Sequence, residues 1–287
     1  MRAFSRRSSG PVAATAALSA AALLLVAACS SPAAPQVVTA AAGPTSAGAP
    51  TLTIGIPFDQ PGLGLKVGNT YSGFDVSTAV YVAKALGVPE ANITWVEAVP
   101  GDREKLLTSG TVDLVVSTYS ITQERDAQVD FAGPYFVAHQ DLLVRRNDTV
   151  TGPDTLDGRN LCSVPNTTSA KLVTEKYAGK ITLTPYPTFS QCVQALVAGN
   201  VDAVTTDDVI LAGYAALPQY KGVLKVVGKG FSEERYGVGI KNNDAAMVGK
   251  VNAALKSYIA DGSWTTALDG TVGQSGYAIP SPPTPGA

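Results

Sequence analysis

The chain has 287 residues, with 21 Lys and Arg against 23 Asp and Glu, a single histidine and a net charge of −2 at pH 7. Without a basic excess it lacks the electrostatic footprint of a nucleic-acid binder, and with one His and three Cys it has no cluster at metal-ligand spacing. The length suits two modest domains or one large one.

The N-terminus reads as an export signal over residues 1–28. Arg2, Arg6 and Arg7 form a basic region, residues 12–28 an apolar run broken by Thr15 and Ser19, and Val26-Ala27-Ala28-Cys29 a small-residue cleavage site. The run is too short for a comfortable transmembrane span. The tetrad resembles a bacterial lipobox, in which Cys29 becomes the acylated first residue; an ordinary secretory signal with an incidental cysteine is the alternative. Loss of the leader removes three of the 21 basic side chains and no acidic one, so the net charge moves from −2 to −5. No basic face then recruits lipid, and attachment to the membrane falls to Cys29. Residues 29–50 carry no charge and are dominated by Ala, Pro, Ser, Thr, Gly and Val, the composition of a flexible tether of about 70 Å at full extension.

Strand and helix signals then alternate. Residues 52–56 read as a strand, 73–86 as a helix closed by Gly87, 93–99 as a strand, and 102–109 as a helix capped by Asp102. Residues 112–116 and 142–146 are apolar strands. The pattern restarts with strand 161–164, helix 168–177, strand 181–185, helix 188–198, strand 201–204, helix 207–216 and strand 223–227. The Pro-rich stretch 279–287 is expected to be unstructured. Residues 109–118 (S-G-T-V-D-L-V-V-S-T) and 198–207 (A-G-N-V-D-A-V-T-T-D) share one pattern of helix end, Gly, Val-Asp, apolar strand and hydroxyl-rich loop. Two such units suggest two lobes, with polar loops beyond equivalent strand ends where α/β sheets bind ligands.

The run from Ser117 to Tyr135 is the most informative. Thr122 suits an N-cap, which puts Arg125 near the third helical position, where the positive end of the helix dipole disfavours a cation. An anion shared by the guanidinium and the free N–H groups, a carboxylate above all, would resolve that conflict; a surface ion pair with Asp126 or Asp130 is the alternative. Of the cysteines, Cys162 and Cys192 remain after Cys29. An exported chain favours their pairing in a disulfide over two buried thiols.

There is no G-x-G-x-x-G opening a helix, no G-x-x-x-x-G-K-[ST], no H-E-x-x-H and no G-x-S-x-G. His139 is the one possible base of a Ser/His/Asp triad and reads instead as structural or solvent-facing. No catalytic residue, cofactor or metal is called for.

Six ordered motifs carry a family resemblance: G-F-D-V (73–76), R-x-x-x-L-x-x-G-x-V-D (103–113), S-I-T-x-x-R (120–125), V-D-F-x-x-P-Y (129–135), G-x-V-D-A-V-x-x-D (199–207) and Y-G-V-G-I (236–240). They resemble the polar amino-acid branch of the bacterial extracellular solute-binding proteins that feed ABC importers. F-D-Q-P-G-L-G-L-K (58–66), L-C-S-V (161–164) and T-T-D (205–207) look most like the actinobacterial glutamate-type binding lipoproteins, which also carry two matching cysteines. The resemblance implies a two-lobed α/β fold of the periplasmic-binding-protein type II, with two hinge crossings near residues 142–146 and 235–240. Lobe 1 would comprise 51–143 and 237–278, lobe 2 residues 144–236, with the ligand in the cleft.

It further implies that Arg125 binds the ligand α-carboxylate, Asp207 its α-ammonium, and Thr118 and Ser120 its amino and carboxylate groups. A plain helix N-cap, a place Asp208 could also fill, is the alternative for Asp207. The family loop G-T-T-S reads Asn166-Thr167-Thr168-Ser169, with Asn able to take a positive φ in place of Gly. Arg103 matches the arginine that meets a distal carboxylate, though a surface arginine beside Asp102 is as consistent with the pattern; Lys66 is a second candidate, and Gln60 and Thr206 are expected at the pocket wall. The implied ligand is glutamate, aspartate, glutamine or asparagine, and the implied partner an ABC permease, for a monomer tethered to the outer face of the cell membrane. A sensor docking on a membrane receptor, or a cyclohexadienyl dehydratase on the same fold, are the alternatives.

Overall fold

Two five-stranded sheets organise the protein, whose computed structural model describes residues 39–41, 48 and 50–286. The signal segment 1–28 and Cys29 lie outside the described residues. The first sheet has the order β6 (Ile93–Glu97), β2 (Leu52–Ile56), β7 (Leu114–Val115), β14 (Glu234–Lys241), β8 (Val129–Ala138). The second has the order β11 (Thr182–Pro185), β10 (Asn160–Ser163), β12 (Ala203–Asp207), β9 (Gln140–Arg145), β13 (Leu224–Val226). In each, three parallel strands come first and two strands antiparallel to a neighbour complete the sheet. The duplicated Val-Asp pattern leads into β7 and β12, which occupy the third place in their sheets. That shared place is the structural content of the echo.

Helices cover these sheets: α1 (Phe74–Ala85), α2 (Arg103–Thr108), α3 (Gln123–Asp126), α4 (Thr168–Lys176), α5 (Phe189–Ala198), α6 (Asp208–Ala215), α7 (Ala245–Ala260) and α8 (Ser263–Gly270). α1 buries Phe74, Val76, Ala79, Val82 and Ala83, a face repeating at three and four residues. It starts at Gly73, whose φ of 123° favours glycine and where a Cβ would lie 2.1 Å from the Leu63 carbonyl oxygen. The sequence reading placed no helix at α7 or α8. Both pack on the first lobe through buried Tyr258 and Trp264, and the Trp264 indole N–H donates to the Tyr135 carbonyl at 2.8 Å. Among the described residues no helix is long and apolar enough to cross a membrane.

Three expectations need correction. β9 lies wholly in the second sheet and β14 wholly in the first, so the chain changes sheets at His139 and again within residues 227–233, ahead of both crossings expected from the resemblance. The C-terminal stretch is laid down on the first lobe: Pro285 is buried, and the Gly286 N–H donates to the Gly133 carbonyl at 2.7 Å. The tether is not wholly free either, because β1 (Thr39–Ala41) joins a small antiparallel sheet beside β5 (Thr70–Ser72), β4 (Gly64–Val67) and β3 (Asp59–Gln60). Its backbone satisfies the edge of β5, which would otherwise present unpaired donors and acceptors.

Candidate functional site

Beyond the ends of β7 and β12 the two lobes face one another across a small cavity of about 10 Å³. Arg103, Thr118, Ser120 and Arg125 line it from the first lobe, with Pro100; Thr167, Thr168, Ser169, Thr206 and Asp207 line it from the second, with Phe189 and Ile210. Nine of these side chains are polar, so the cavity is built for a polar molecule.

The first-lobe wall is the Ser117–Arg125 segment. The Thr122 hydroxyl accepts from the Arg125 backbone N–H, the cap expected from sequence, and turns the arginine inward. Arg125 is 8% exposed; its Nη1 donates to the Ser120 carbonyl at 2.8 Å, its Nη2 to the Asn166 carbonyl at 3.0 Å, and its Nε lies 3.3 Å from Glu104. The partners foreseen as the alternative, Asp126 and Asp130, are not the ones it uses. Arg103 is 3% exposed rather than on the surface beside Asp102. Its Nη1 donates to the Ser117 and Thr118 carbonyls, and its guanidinium lies 4.4 Å from the Tyr119 ring centre, with that of Arg125 at 5.1 Å from the same ring. Burial and the neighbouring Arg125 charge pull the Arg103 guanidinium down to about 10.

Thr118 holds a φ of 41°, costly for a β-branched residue. Its N–H donates to the Asp75 carboxylate at 2.9 Å and its hydroxyl to the Gln60 amide oxygen at 3.2 Å. Gln60 thus supports the cavity wall from behind.

On the second lobe, Asn166 takes a φ of 61°, the conformation for which asparagine can replace glycine. The Thr167 hydroxyl caps α4 by accepting from the Ala170 N–H and donates to the Val164 carbonyl. The first turn of α4, whose leading N–H groups have no intrahelical acceptor, presents Thr168 and Ser169. Asp207 stands at the N-cap position of α6 but makes no side-chain cap bond; Asp208 accepts from its own helix at Val209 instead. The Asp207 carboxylate is thereby released to the cavity. One oxygen accepts from the Tyr236 hydroxyl, and the other, Oδ1, is buried with no hydrogen-bond partner among the described residues. Burial, then the nearby Glu234 charge, hold this carboxyl well above the usual carboxylate range.

Of the residues singled out from sequence, the structure brings Arg103, Thr118, Ser120, Arg125, Thr167, Thr168, Thr206 and Asp207 together at the cavity. It does not bring Lys66 there: that side chain is exposed, its ammonium 4.7 Å from the Phe58 ring centre. His139 sits at the sheet-to-sheet crossing, about half exposed, with Nδ1 3.7 Å from Asp208. Cys162 on β10 and Cys192 on α5 are joined as a disulfide with their Cα atoms 5.6 Å apart. Sequence reasoning missed Asp75, Tyr119 and Tyr236 behind the wall, and Pro100, Phe189 and Ile210 on it. G-F-D-V contained Asp75, but only the fold aligns it with a residue 43 positions away. Among the described residues no group of three or more His, Cys, Asp or Glu could hold a metal ion.

Residues 52–273 match the bacterial extracellular solute-binding proteins, family 3. The chain is 41% identical over 240 residues to the glutamate-binding protein GluB of Corynebacterium efficiens, across 79% of this chain and 81% of that protein. It is 32% identical over 216 residues to the glutamine-binding protein GlnH of an ABC transporter of Bacillus subtilis, across 74% of this chain and 78% of that one. Among solved structures, an ancestral arginine-binding protein bound to glutamine superposes with a TM-score of 0.70 at 32% identity, over 76% of this chain and 96% of its own.

Proposed function

For a chain that belongs to the bacterial extracellular solute-binding proteins of family 3, we propose that the interlobe cavity binds a free amino acid, glutamate or a close acidic or amide relative. One observation carries the reading. A buried guanidinium and a buried carboxyl line the same cavity with polar atoms unsatisfied: Arg103 Nε and Asp207 Oδ1 are both buried without a hydrogen-bond partner among the described residues. A buried orphan of either kind costs on the order of 1–3 kcal/mol, more when charged, and an amino acid whose ammonium meets Asp207 and whose distal group meets Arg103 relieves both.

In this reading the α-ammonium pairs with Asp207, and the α-carboxylate meets Arg125 with the hydroxyls and N–H groups of Ser120, Thr168 and Ser169. Arg103 takes the distal carboxylate or amide. The names of GluB and GlnH, which specify glutamate and glutamine for those relatives, support a ligand of this class. We assign the protein the same extracytoplasmic role, delivery of an amino acid to an ABC permease, with Cys29 as the acylated anchor.

A thermal-shift screen of residues 51–287 against the twenty amino acids, followed by calorimetry on the hits, tests the ligand. A ligand at about a thousand times its Kd adds roughly 4 kcal/mol and moves Tm by several degrees. Glutamate or aspartate at the head of the ranking supports the assignment of Arg103; glutamine or asparagine alone removes it; no shift with any amino acid overturns the reading. Incorporation of a palmitate label, lost in Cys29→Ser, tests the anchor.

A further inference from the structure

Strand β3 and the loop that leads from it to β4 carry a second set of cross-lobe contacts, set back from the cavity. Asp59 belongs to the first lobe, yet its Oδ2 accepts from the Ser190 N–H at 3.2 Å and from the Ser190 hydroxyl at 3.1 Å, both in the first turn of α5. The Tyr214 hydroxyl, on α6, donates to the Asp59 carbonyl at 2.5 Å and also lies 3.2 Å from the same carboxylate oxygen. One residue before Tyr214, Gly213 faces the loop so closely that a Cβ there would stand 2.1 Å from the Pro61 carbonyl oxygen.

The loop is rigidly seated on its own lobe. Its Gly62 and Leu63 carbonyls accept from the Phe74 and Asp75 N–H groups at the start of α1. Gln60 accepts from Thr118 in the cavity wall. On the other side, α5 and α6 begin with cavity residues: Phe189 precedes Ser190, and Asp207 stands at the N-cap position of the helix that bears Gly213 and Tyr214. The loop therefore joins a fixed part of the first lobe to two of the three helices that present the second lobe's wall.

At the outer rim the lobes are also bridged by Lys171 and Glu124, but both side chains are at least half exposed, so solvent and salt screen that pair. The Asp59 contacts are partly buried and include a charge-assisted bond to a backbone N–H, the stronger kind.

We propose that Asp59 is a positioning residue that fixes the second lobe over a bound ligand, setting how long the ligand is retained while the cavity residues set which ligand is chosen. The proposal rests on the amino-acid reading above. Gly213 is its steric counterpart, since only glycine lets the Pro61 carbonyl approach α6 in this arrangement.

The test compares wild type with Asp59→Ala, Asp59→Asn and Gly213→Ala, measuring the dissociation rate of glutamate and glutamine by stopped-flow fluorescence and the radius of gyration by X-ray scattering. Asp59→Ala is expected to raise the dissociation rate of both amino acids by about tenfold or more, the loss of hydrogen bonds to a charged group, with the glutamate-to-glutamine affinity ratio unchanged. Asp59→Asn, which keeps an acceptor oxygen, is expected to recover most of the retention. Gly213→Ala is expected to shorten retention likewise and to leave the saturated protein more expanded than wild type. A wild-type dissociation rate in Asp59→Ala overturns the proposal, and so does a changed ratio, which would place Asp59 on the ligand itself. Should wild type bind no amino acid, the functional reading fails and scattering alone decides: a larger radius in Gly213→Ala than in wild type supports the clamp, and equal radii overturn it.

Discussion

The Asp75 carboxylate holds Thr118 in its left-handed turn: Oδ2 accepts the Thr118 N–H at 2.9 Å while Oδ1 accepts the Tyr135 hydroxyl at 2.8 Å. The carboxyl is fully buried in the first turn of α1, and burial raises it from 3.8 to about 7, against the lowering effect of those two hydrogen bonds and of Arg103. Because the folded value lies above the unfolded one, the stability linked to this group is fully present below about pH 4 and is lost as pH rises through about 7. Asp75→Asn is expected to flatten that fall by up to a few kcal/mol, since one pKa unit corresponds to about 1.4 kcal/mol. Urea titrations of wild type and variant at pH 4.5 and pH 8 measure it, and equal pH slopes for the two proteins would sink the idea.

Ligand binding is expected to release a proton from Asp207. Its carboxyl is held well above the usual range by burial and by Glu234; an incoming α-ammonium stabilises the ionised form and drives the proton off. Affinity then rises as pH rises toward the free carboxyl's own range. Calorimetry at pH 6 in buffers of different ionisation enthalpy reads the release, and Asp207→Asn is expected to abolish it and to weaken binding. A wild-type binding enthalpy independent of buffer would refute the role. Arg125→Ala, which leaves a buried α-carboxylate unpaired, is expected to cost about 2–5 kcal/mol of binding.

Most of the site's first-lobe wall was legible because it is local. Thr122 caps the turn that aims Arg125, and both lie within nine residues of Ser117. Asn166 could be read as a positive-φ residue in place of glycine, and it adopts that conformation. What the sequence hid is what acts across the chain. Asp75 meets Thr118 from 43 residues away, Tyr236 meets Asp207 from 29, and Asp59 meets Ser190 from 131. Periodicity is blind to such pairs. Lys66 fails for the complementary reason: its neighbours in sequence suggested a pocket loop, but β4 turns the side chain outward over Phe58. Helix α7 was legible, since Val251, Ala254, Leu255 and Tyr258 repeat at helical spacing, and the reading passed over it; α8 spans only eight residues, and tertiary packing through Trp264 decides its place.

Arg103 is expected to decide between acidic and amide side chains. It is the buried cation of the cavity with an unpartnered Nε, whereas Lys66 lies outside. Arg103→Ala should therefore lower glutamate affinity more than glutamine affinity, by about tenfold in the ratio, and Lys66→Ala should leave both unchanged. Because Arg103 also donates to the Ser117 and Thr118 carbonyls, some loss for both ligands is expected. Calorimetry with each amino acid separates the two effects; an unchanged ratio in Arg103→Ala removes the distal-group assignment.

The Cys162–Cys192 disulfide closes a loop of 30 residues between β10 and α5. In the chain-entropy account its removal costs about 3.5 kcal/mol, because the cross-link acts by restricting the unfolded chain. The double variant Cys162→Ser/Cys192→Ser should thus unfold at lower urea with a steeper m value, its denatured state being more open. α5 carries Phe189 at the cavity and Ser190 on the Asp59 contact, and its N-terminus is set independently by the Thr188 cap. Amino-acid affinity under native conditions should accordingly stay within about threefold of wild type. A large loss of affinity at full retention of fold, read by circular dichroism, would show instead that the bond positions α5 for binding.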